Sequence, residues 1–342
     1  MFKPVMNLAY ACWQQDAFLL ARELIRETPF NLVHQATYVG YRFPGRLWGL
    51  GLPFVWGPIG GMENTQWNLL PAMGIYGTIY YGGRNLINSA QRRWLRSPRR
   101  AALAAGAGLI AATGGIAREL KSLYGADSTV LSEVTAPIEL SPARPRRRTP
   151  DEPLRLVWSG QHLPGKALNI VLQALARVRP EIKWRLDVLG DGPFCKRWRE
   201  LADSVHLTSC CHWHGMLPRA EALNIMSRAH VLAISSLKDL TSTVLVEGLA
   251  LGLPVICPDH CGFSDVVTEE CGIKIPPRTI QGLVNEFAAA IESMAVDEPR
   301  RYQMAEEALR RARDFSWERK REQLNRIYER VIREFDGGKV VG

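Results

Sequence analysis

In the stretch "LKDLTSTVLVEGLALGLPVI", residues 237–256, an acid, Asp239, is followed by Leu240 and by the hydroxyl residues Thr241, Ser242 and Thr243. A second acid, Glu247, stands eight positions after the first. Hydroxyls at the start of a helix suit an anion, because the free backbone N–H groups and the helix dipole favour negative charge there. The acids need a different partner. A carboxylate about 4 Å from a phosphate would be repelled by roughly 4 kcal/mol at an effective dielectric near 20. Carboxylates accept hydrogen bonds from hydroxyls, and a sugar nucleotide carries hydroxyls at both ends of its diphosphate, on the ribose and on the sugar. One acid for each end, with the helix start between them, fits such a ligand. An N-cap aspartate and a solvated helix glutamate would account for this window equally well.

The elements around the stretch decide where those side chains stand. "HVLAISS", residues 230–236, reads as an apolar strand, residues 243–251 carry Val244, Leu245, Leu249 and Ala250 near helical spacing, and "GLP" stops that helix before the strand "PVIC". Asp239 therefore falls in a strand-to-helix loop. The second half continues in this way, with strands at "LRLVWSG", "WRLDVLG", "CCHWHG" and "GIKI" and amphipathic helices such as residues 167–178. Strands alternating with helices imply a parallel sheet covered on both faces. Ligands of such sheets bind at the carboxyl ends of the strands. The loops at residues 161–166, 190–193, 215–218 and 239–243 all lie at those ends and are expected to converge on one crevice.

The first half has the same character with fewer elements: strands at "NLVHQ", "PFVWG", "GLIAAT" and "TVLSE", and helices near residues 13–26, 75–96 and 115–124. "ELSPARPRRRTPDEP", residues 139–153, is rich in Pro and Arg and reads as a linker. The expected organisation is a first Rossmann-like domain at 1–140, a linker at 141–153 and a second Rossmann-like domain at 154–314. A final helix at 315–336, with Trp317, Leu324, Ile327, Tyr328 and Val331 on one face, is expected to pack back on the first domain.

With 342 residues the chain is long enough for two cores, and 46% hydrophobic and 23% charged residues are values of a globular protein in water. The longest apolar run, residues 101–112, is shorter than the roughly 20 residues a membrane span needs. The N-terminal residues read as helix rather than as a signal peptide. Seven cysteines and no secretion signal point to free thiols and a cytoplasmic location. Cys210, Cys211, His212 and His214, with Cys257, His260, Cys261 and Cys271 downstream, match no standard ligand spacing, so no metal is expected. The whole net charge of +9 falls in residues 1–150, and residues 64–118 contain no acid while Arg84, Arg92, Arg93, Arg96, Arg99 and Arg100 cluster there. Two accounts fit: a solvated basic helix, or a helix lying on an anionic membrane surface at the inner face of the membrane. Nucleic acid is not an expected partner.

Taken together the motifs resemble the family 4 retaining glycosyltransferases of GT-B fold, of the exopolysaccharide and lipopolysaccharide biosynthesis type. That family spaces two acids by seven residues across a strand-to-helix junction, as Asp239 and Glu247 are, with "GLPVI" following. Its glycine, arginine and lysine signature looks like "SGQHLPGK", residues 159–166, and "LGDGP", 189–193, and "WHGMLPRAE", 213–221, match in order and spacing. In the first half, "VHQATYV" and "LPFVWGPIGG" are similar to the same type of member. The resemblance implies an α/β GT-B fold, two Rossmann-like domains whose parallel sheets face across a cleft, the first domain starting in what resembles its middle. It implies transfer of a sugar from a nucleotide-sugar donor to a cell-surface polysaccharide or lipid-linked acceptor, with retention and without metal or other cofactor.

Carried over residue by residue, Lys166 would hold the donor diphosphate, Glu247 the ribose hydroxyls, and Asp239 would face the transferred sugar. Thr241, Ser242 and Thr243, in the loop with Leu240, would meet the phosphates, Gly160, Gln161 and Gly190 would form the donor-side loops, and Met216 and Leu217 would flank the base. His34 is the candidate acceptor-side polar residue. Three positions depart from the family pattern. The first acid is Asp instead of Glu, Gln161 stands where the signature has arginine, and "WGPIGG" stands where many members have a histidine after the "PFV" strand. Two rival readings follow from the same residues: a sugar-nucleotide epimerase of similar fold, and a non-catalytic donor-binding remnant.

Overall fold

The computed structural model describes residues 3–36, 40–136 and 144–340. Two compact units emerge, one from residues 1–64, 86–133 and 320–342, the other from 65–85 and 134–319.

The first unit holds a four-stranded parallel sheet in the order β1 (Val33–Gln35), β2 (Phe54–Ile59), β3 (Leu109–Ala111), β4 (Thr129–Val130). Helices α1 (Lys3–Glu27), α2 (Gly74–Trp94), α3 (Arg96–Ala105) and α4 (Gly114–Tyr124) precede or separate the strands. The sequence explains α4 from end to end. Thr113 caps it by accepting the Ile116 N–H at 3.1 Å, Ile116, Leu120 and Tyr124 recur at a spacing of four and are buried, and Gly125 ends it at φ +70°.

The second unit holds β5 (Leu154–Ser159), β6 (Trp184–Leu189), β7 (Cys211–Gly215), β8 (Val231–Ala233), β9 (Val255–Pro258) and β10 (Gly272–Ile275), all parallel. Across the sheet they run β10-β9-β8-β5-β6-β7, the doubly wound order. Alternate residues feed two cores. Leu156, Trp158, Leu186, Val188, Val231 and Ile256 point to the face covered by α5 (Leu168–Leu175), α6 (Cys195–Ser204) and α10 (Ile280–Val296). Val157, Leu189, Leu232 and Val255 point to the face covered by α7 (Arg219–Met226), α8 (Thr243–Ala250), α9 (Phe263–Val266) and α11 (Glu298–Arg313). Burial on both faces is why these strands read as near-continuous apolar runs.

The chain divides at other points than the expected boundaries, and residues 144–153 of the expected linker cluster with the second unit, where Arg301 Nη2 donates to Arg146 O at 2.6 Å. Residues 65–85 cluster with the second unit, because Leu69, Leu70 and Met73 are buried among Leu168, Val171 and their neighbours, and Asn169 Nδ2 donates to Ala72 O at 3.0 Å. Of the expected linker, residues 141–143 lie outside the described residues. The last helix, α12 (Trp317–Val340), places Ile327 and Val331 in the core of the first unit with Val55, Ile110 and Leu131.

Polarity is inverted along α2. Its inward side carries Asn85, bonded to Thr65 N–H and O at 3.0 and 2.7 Å, and Asn88, which donates to Met62 O at 2.8 Å and accepts from Tyr41 Oη at 3.0 Å. Its outward side carries exposed Ile75, Tyr76, Ile79, Leu86, Ile87 and Trp94. At 100° per residue these six fall within about a third of the helix circumference. No helix among the described residues is long and apolar enough to cross a membrane.

Candidate functional site

Strand order alone fixes where the second unit can bind a ligand. The chain winds one way from β5 through β6 to β7 and the other way from β8 through β9 to β10, so the sheet switches direction between β5 and β8. At such a switch the loops leaving the two strands diverge and open a crevice at their carboxyl ends. The loop after β5 contains Gly160, Gln161 and Lys166; the loop after β8 contains Asp239 to Ser242 and leads into Thr243 of α8.

These loops are pinned by backbone contacts. Gly190, after β6, sits at φ +105°, and a Cβ there would lie 2.0 Å from Gly160 O, so only glycine lets the two turns meet. Gly160 N–H donates to Leu189 O at 3.1 Å, and the N–H groups of Leu237 and Lys238 both donate to Gly165 O, at 2.8 and 3.3 Å. Ser235 ties the β5 and β8 segments together: its hydroxyl donates to Lys166 O at 2.8 Å and accepts the Trp158 indole N–H at 3.1 Å. Lys166 ends a short 3-10 turn, and Ala167, at φ +46°, swings the chain into α5.

The charged side chains meet in two pairs. Lys166 Nζ lies 2.6 Å from Asp239 Oδ2, both groups largely shielded from water, while Asp239 Oδ1 accepts the Leu240 N–H at 3.0 Å. Glu247, 7% exposed, accepts from Arg219 Nε at 2.9 Å. Each acid thus has its own cation. Between them the start of α8 presents buried Thr241, Ser242 at φ +79° and exposed Thr243, the first residue of the helix. Gln161 and Met216 are exposed and Leu217 is half-buried in the segment joining β7 to α7.

Two further residues complete the picture. Arg219 opens α7 and pairs with Glu247; it lies inside the motif "WHGMLPRAE", which was the available signal. Tyr81 of α2 packs its hydroxyl against Gly165, where a Cβ would come within 2.7 Å of it, and burial pushes its pKa up. Nothing local in the sequence marks Tyr81, since its position comes from residues 65–85 folding onto the second unit. His34 lies on β1 in the first unit. Gly57 O can only accept, so His34 Nε2–H donates to it at 2.9 Å and Nδ1 accepts from Tyr328 Oη at 2.8 Å. Burial holds the His34 pKa below its usual value, which keeps the ring neutral with both nitrogens engaged inside its own unit.

A lysine, a helix start with hydroxyls, and two carboxylates held by separate cations form a surface that can receive an anion flanked by hydroxyls. Known proteins share this architecture. A D-inositol 3-phosphate glycosyltransferase from Stackebrandtia nassauensis is 27% identical over 245 residues, 66% of this chain and 54% of that protein. A putative colanic acid biosynthesis glycosyltransferase, WcaL, from Escherichia coli K12 is 23% identical over 150 residues, 42% of this chain and 37% of that protein. The crystal structure of Anabaena HepE in complex with UDP superposes with a TM-score of 0.59 at 16% identity, covering 93% of this chain and 81% of that one. This chain spans about half the length of the inositol phosphate relative, and the structural likeness shows the fold, GT-B. The family described as glycosyl transferases group 1 matches residues 142–311 of this chain.

Proposed function

We propose that this chain is a glycosyltransferase that moves a sugar from a nucleoside diphosphate donor to a saccharide or lipid-linked acceptor, with retention and without a metal at the diphosphate. The observation that carries the reading is the meeting of Lys166, Asp239 and the start of α8 at the switch point between β5 and β8. Lys166 and the N–H groups of Thr241 to Thr243 would neutralise the leaving diphosphate, a task fixed donors can perform in place of a cation. Glu247, oriented by Arg219, would accept the ribose hydroxyls, and Asp239 would accept a hydroxyl of the transferred sugar. Met216 and Leu217 would flank the base. The UDP in the Anabaena structure supports a uridine-type donor, and the name of the WcaL relative supports an exopolysaccharide acceptor.

The acceptor's setting is proposed to be an anionic membrane surface. What supports this is α2, whose outward apolar side is joined by exposed Arg84, Arg93, Arg96, Arg99 and Arg100 with no acid in residues 64–118. A helix that keeps its asparagines inside and its isoleucines outside matches a lipid environment better than water.

Product analysis with a panel of sugar nucleotides tests the activity. Transfer requires an acceptor, whereas the epimerase reading yields a changed donor without one. Lys166→Ala and Glu247→Gln are each expected to weaken donor binding about tenfold or more, since a hydrogen bond to a charged group contributes roughly 1.5–3 kcal/mol. Wild-type affinity of both variants in calorimetric titration would sink the residue assignments.

A further inference from the structure

We propose that His162, Asp191 and Cys195 form a site for a divalent transition metal of the zinc type. His162, in the loop after β5, is 1% exposed and is packed against the rings of Trp158, Trp198 and Trp213 at centre distances of 5.5, 5.2 and 6.0 Å. Neither of its ring nitrogens has a hydrogen-bond partner among the described residues. A neutral imidazole has one donor and one acceptor, and leaving such groups buried and unpaired is unfavourable. Native interiors seldom carry that cost without a reason, and a bound ion is one such reason.

Backbone hydrogen bonds bring the other two ligands to the imidazole. His162 N–H donates to Asp191 O at 2.9 Å and Phe194 N–H donates to His162 O at 3.0 Å, so the loops after β5 and β6 are zipped together. One ring nitrogen, the Cys195 sulfur and an Asp191 carboxylate oxygen then lie within 4.8 Å of one another. Nitrogen, sulfur and oxygen form a donor set that zinc takes up, with bonds of about 2.0–2.3 Å. Tetrahedral geometry at those lengths places donor atoms about 3.5 Å apart, so side-chain rotations moving the donors by about 1 Å would close the site. Burial holds the His162 pKa below its usual value, so the ring offers a lone pair at neutral pH. Binding would release the Cys195 thiol proton to solvent. Asp191 is exposed, which gives the ion an entry path and leaves its fourth position to water.

Such an ion would clamp the turns that carry Gly160 and Gly190. The proposal does not depend on the donor reading, because metal binding is measured with no sugar nucleotide present.

The test is calorimetric titration of Zn²⁺ into the full chain after chelator treatment, with Co²⁺ as a spectroscopic probe for a thiolate-to-metal band. One ion per chain is expected, with affinity reduced at least tenfold in Cys195→Ser and in His162→Leu, and with a Zn²⁺-dependent rise in melting temperature that both variants lose. Leucine suits the tryptophan-lined site, so His162→Leu should fold, and Cys195→Ser alters only a half-buried thiol. Absence of binding would overturn the proposal. So would binding that both variants retain, which would place the ion elsewhere, for example at His260 and Cys261, whose Nδ1 and Sγ lie 3.3 Å apart.

Discussion

Ser242 holds φ +79° and ψ 117°, a backbone region that residues with a Cβ avoid, at the residue before α8 begins. Such strain costs of order 1–3 kcal/mol and persists where the surroundings impose it. Glycine would relieve it, so Ser242→Gly is expected to raise stability by about 1 kcal/mol, a shift in melting temperature of roughly 2–4 °C for a unit of this size. On the donor reading the same change removes a hydroxyl at the phosphates and lowers donor affinity severalfold. Thermal melts and donor titrations on one preparation check the opposed signs; a variant that is stabilised and binds donor as wild type would leave Ser242 with no role in binding. The spacing of Asp239 and Glu247 was legible in the sequence because both belong to one loop and one helix. Their partners were not. Lys166 meets Asp239 across 73 positions, and only the adjacency of β5 and β8 brings them together.

Among the elements, α2 shows how far periodicity reaches. The sequence marked a helix near residues 75–96 and an arginine cluster, yet two stripes run along it, and the ordinary expectation turns the isoleucines inward. The asparagines took the inner side because Asn85 finds the backbone of Thr65, and Asn88 finds Met62 O and Tyr41, a set of partners assembled only in the fold. On the membrane reading the outer side enters the acyl boundary and the arginines stay among the headgroups, each contributing about 1 kcal/mol near an anionic surface. Cosedimentation with phosphatidylserine-containing vesicles should therefore fall with added salt and with Arg93→Glu combined with Arg96→Glu. It should fall at every salt concentration with Ile79→Ser combined with Leu86→Ser. Binding that tracks charge alone and ignores the two apolar positions would reduce the helix to a solvated basic face.

At the level of the molecule, the first unit is built from distant parts of the chain. Its sheet relies on α12, whose Ile327 and Val331 are 3% and 6% exposed among Val55, Ile110 and Leu131, and whose Tyr328 bonds His34. Removing residues 320–342 would expose two buried apolar side chains' worth of contact, roughly 3–6 kcal/mol at 1.5–3 each, and leave Nδ1 of the half-buried His34 without its partner. A domain is held by only about 5–15 kcal/mol in total, and a four-stranded sheet with strands of two to six residues has little to spare. The second unit draws its two cores from residues before 320 and should be unaffected. A chain ending at Arg319 is therefore expected to lose hydrogen-exchange protection at β2 and β3 while keeping it at β5 and β8. Its affinity for a sugar nucleotide should stay within a few-fold of the full chain's, because every donor-side residue proposed above lies in the second unit. Protection preserved at β2 and β3 would show that the first sheet is self-sufficient, and donor affinity lost with α12 would move part of the binding site out of the second unit.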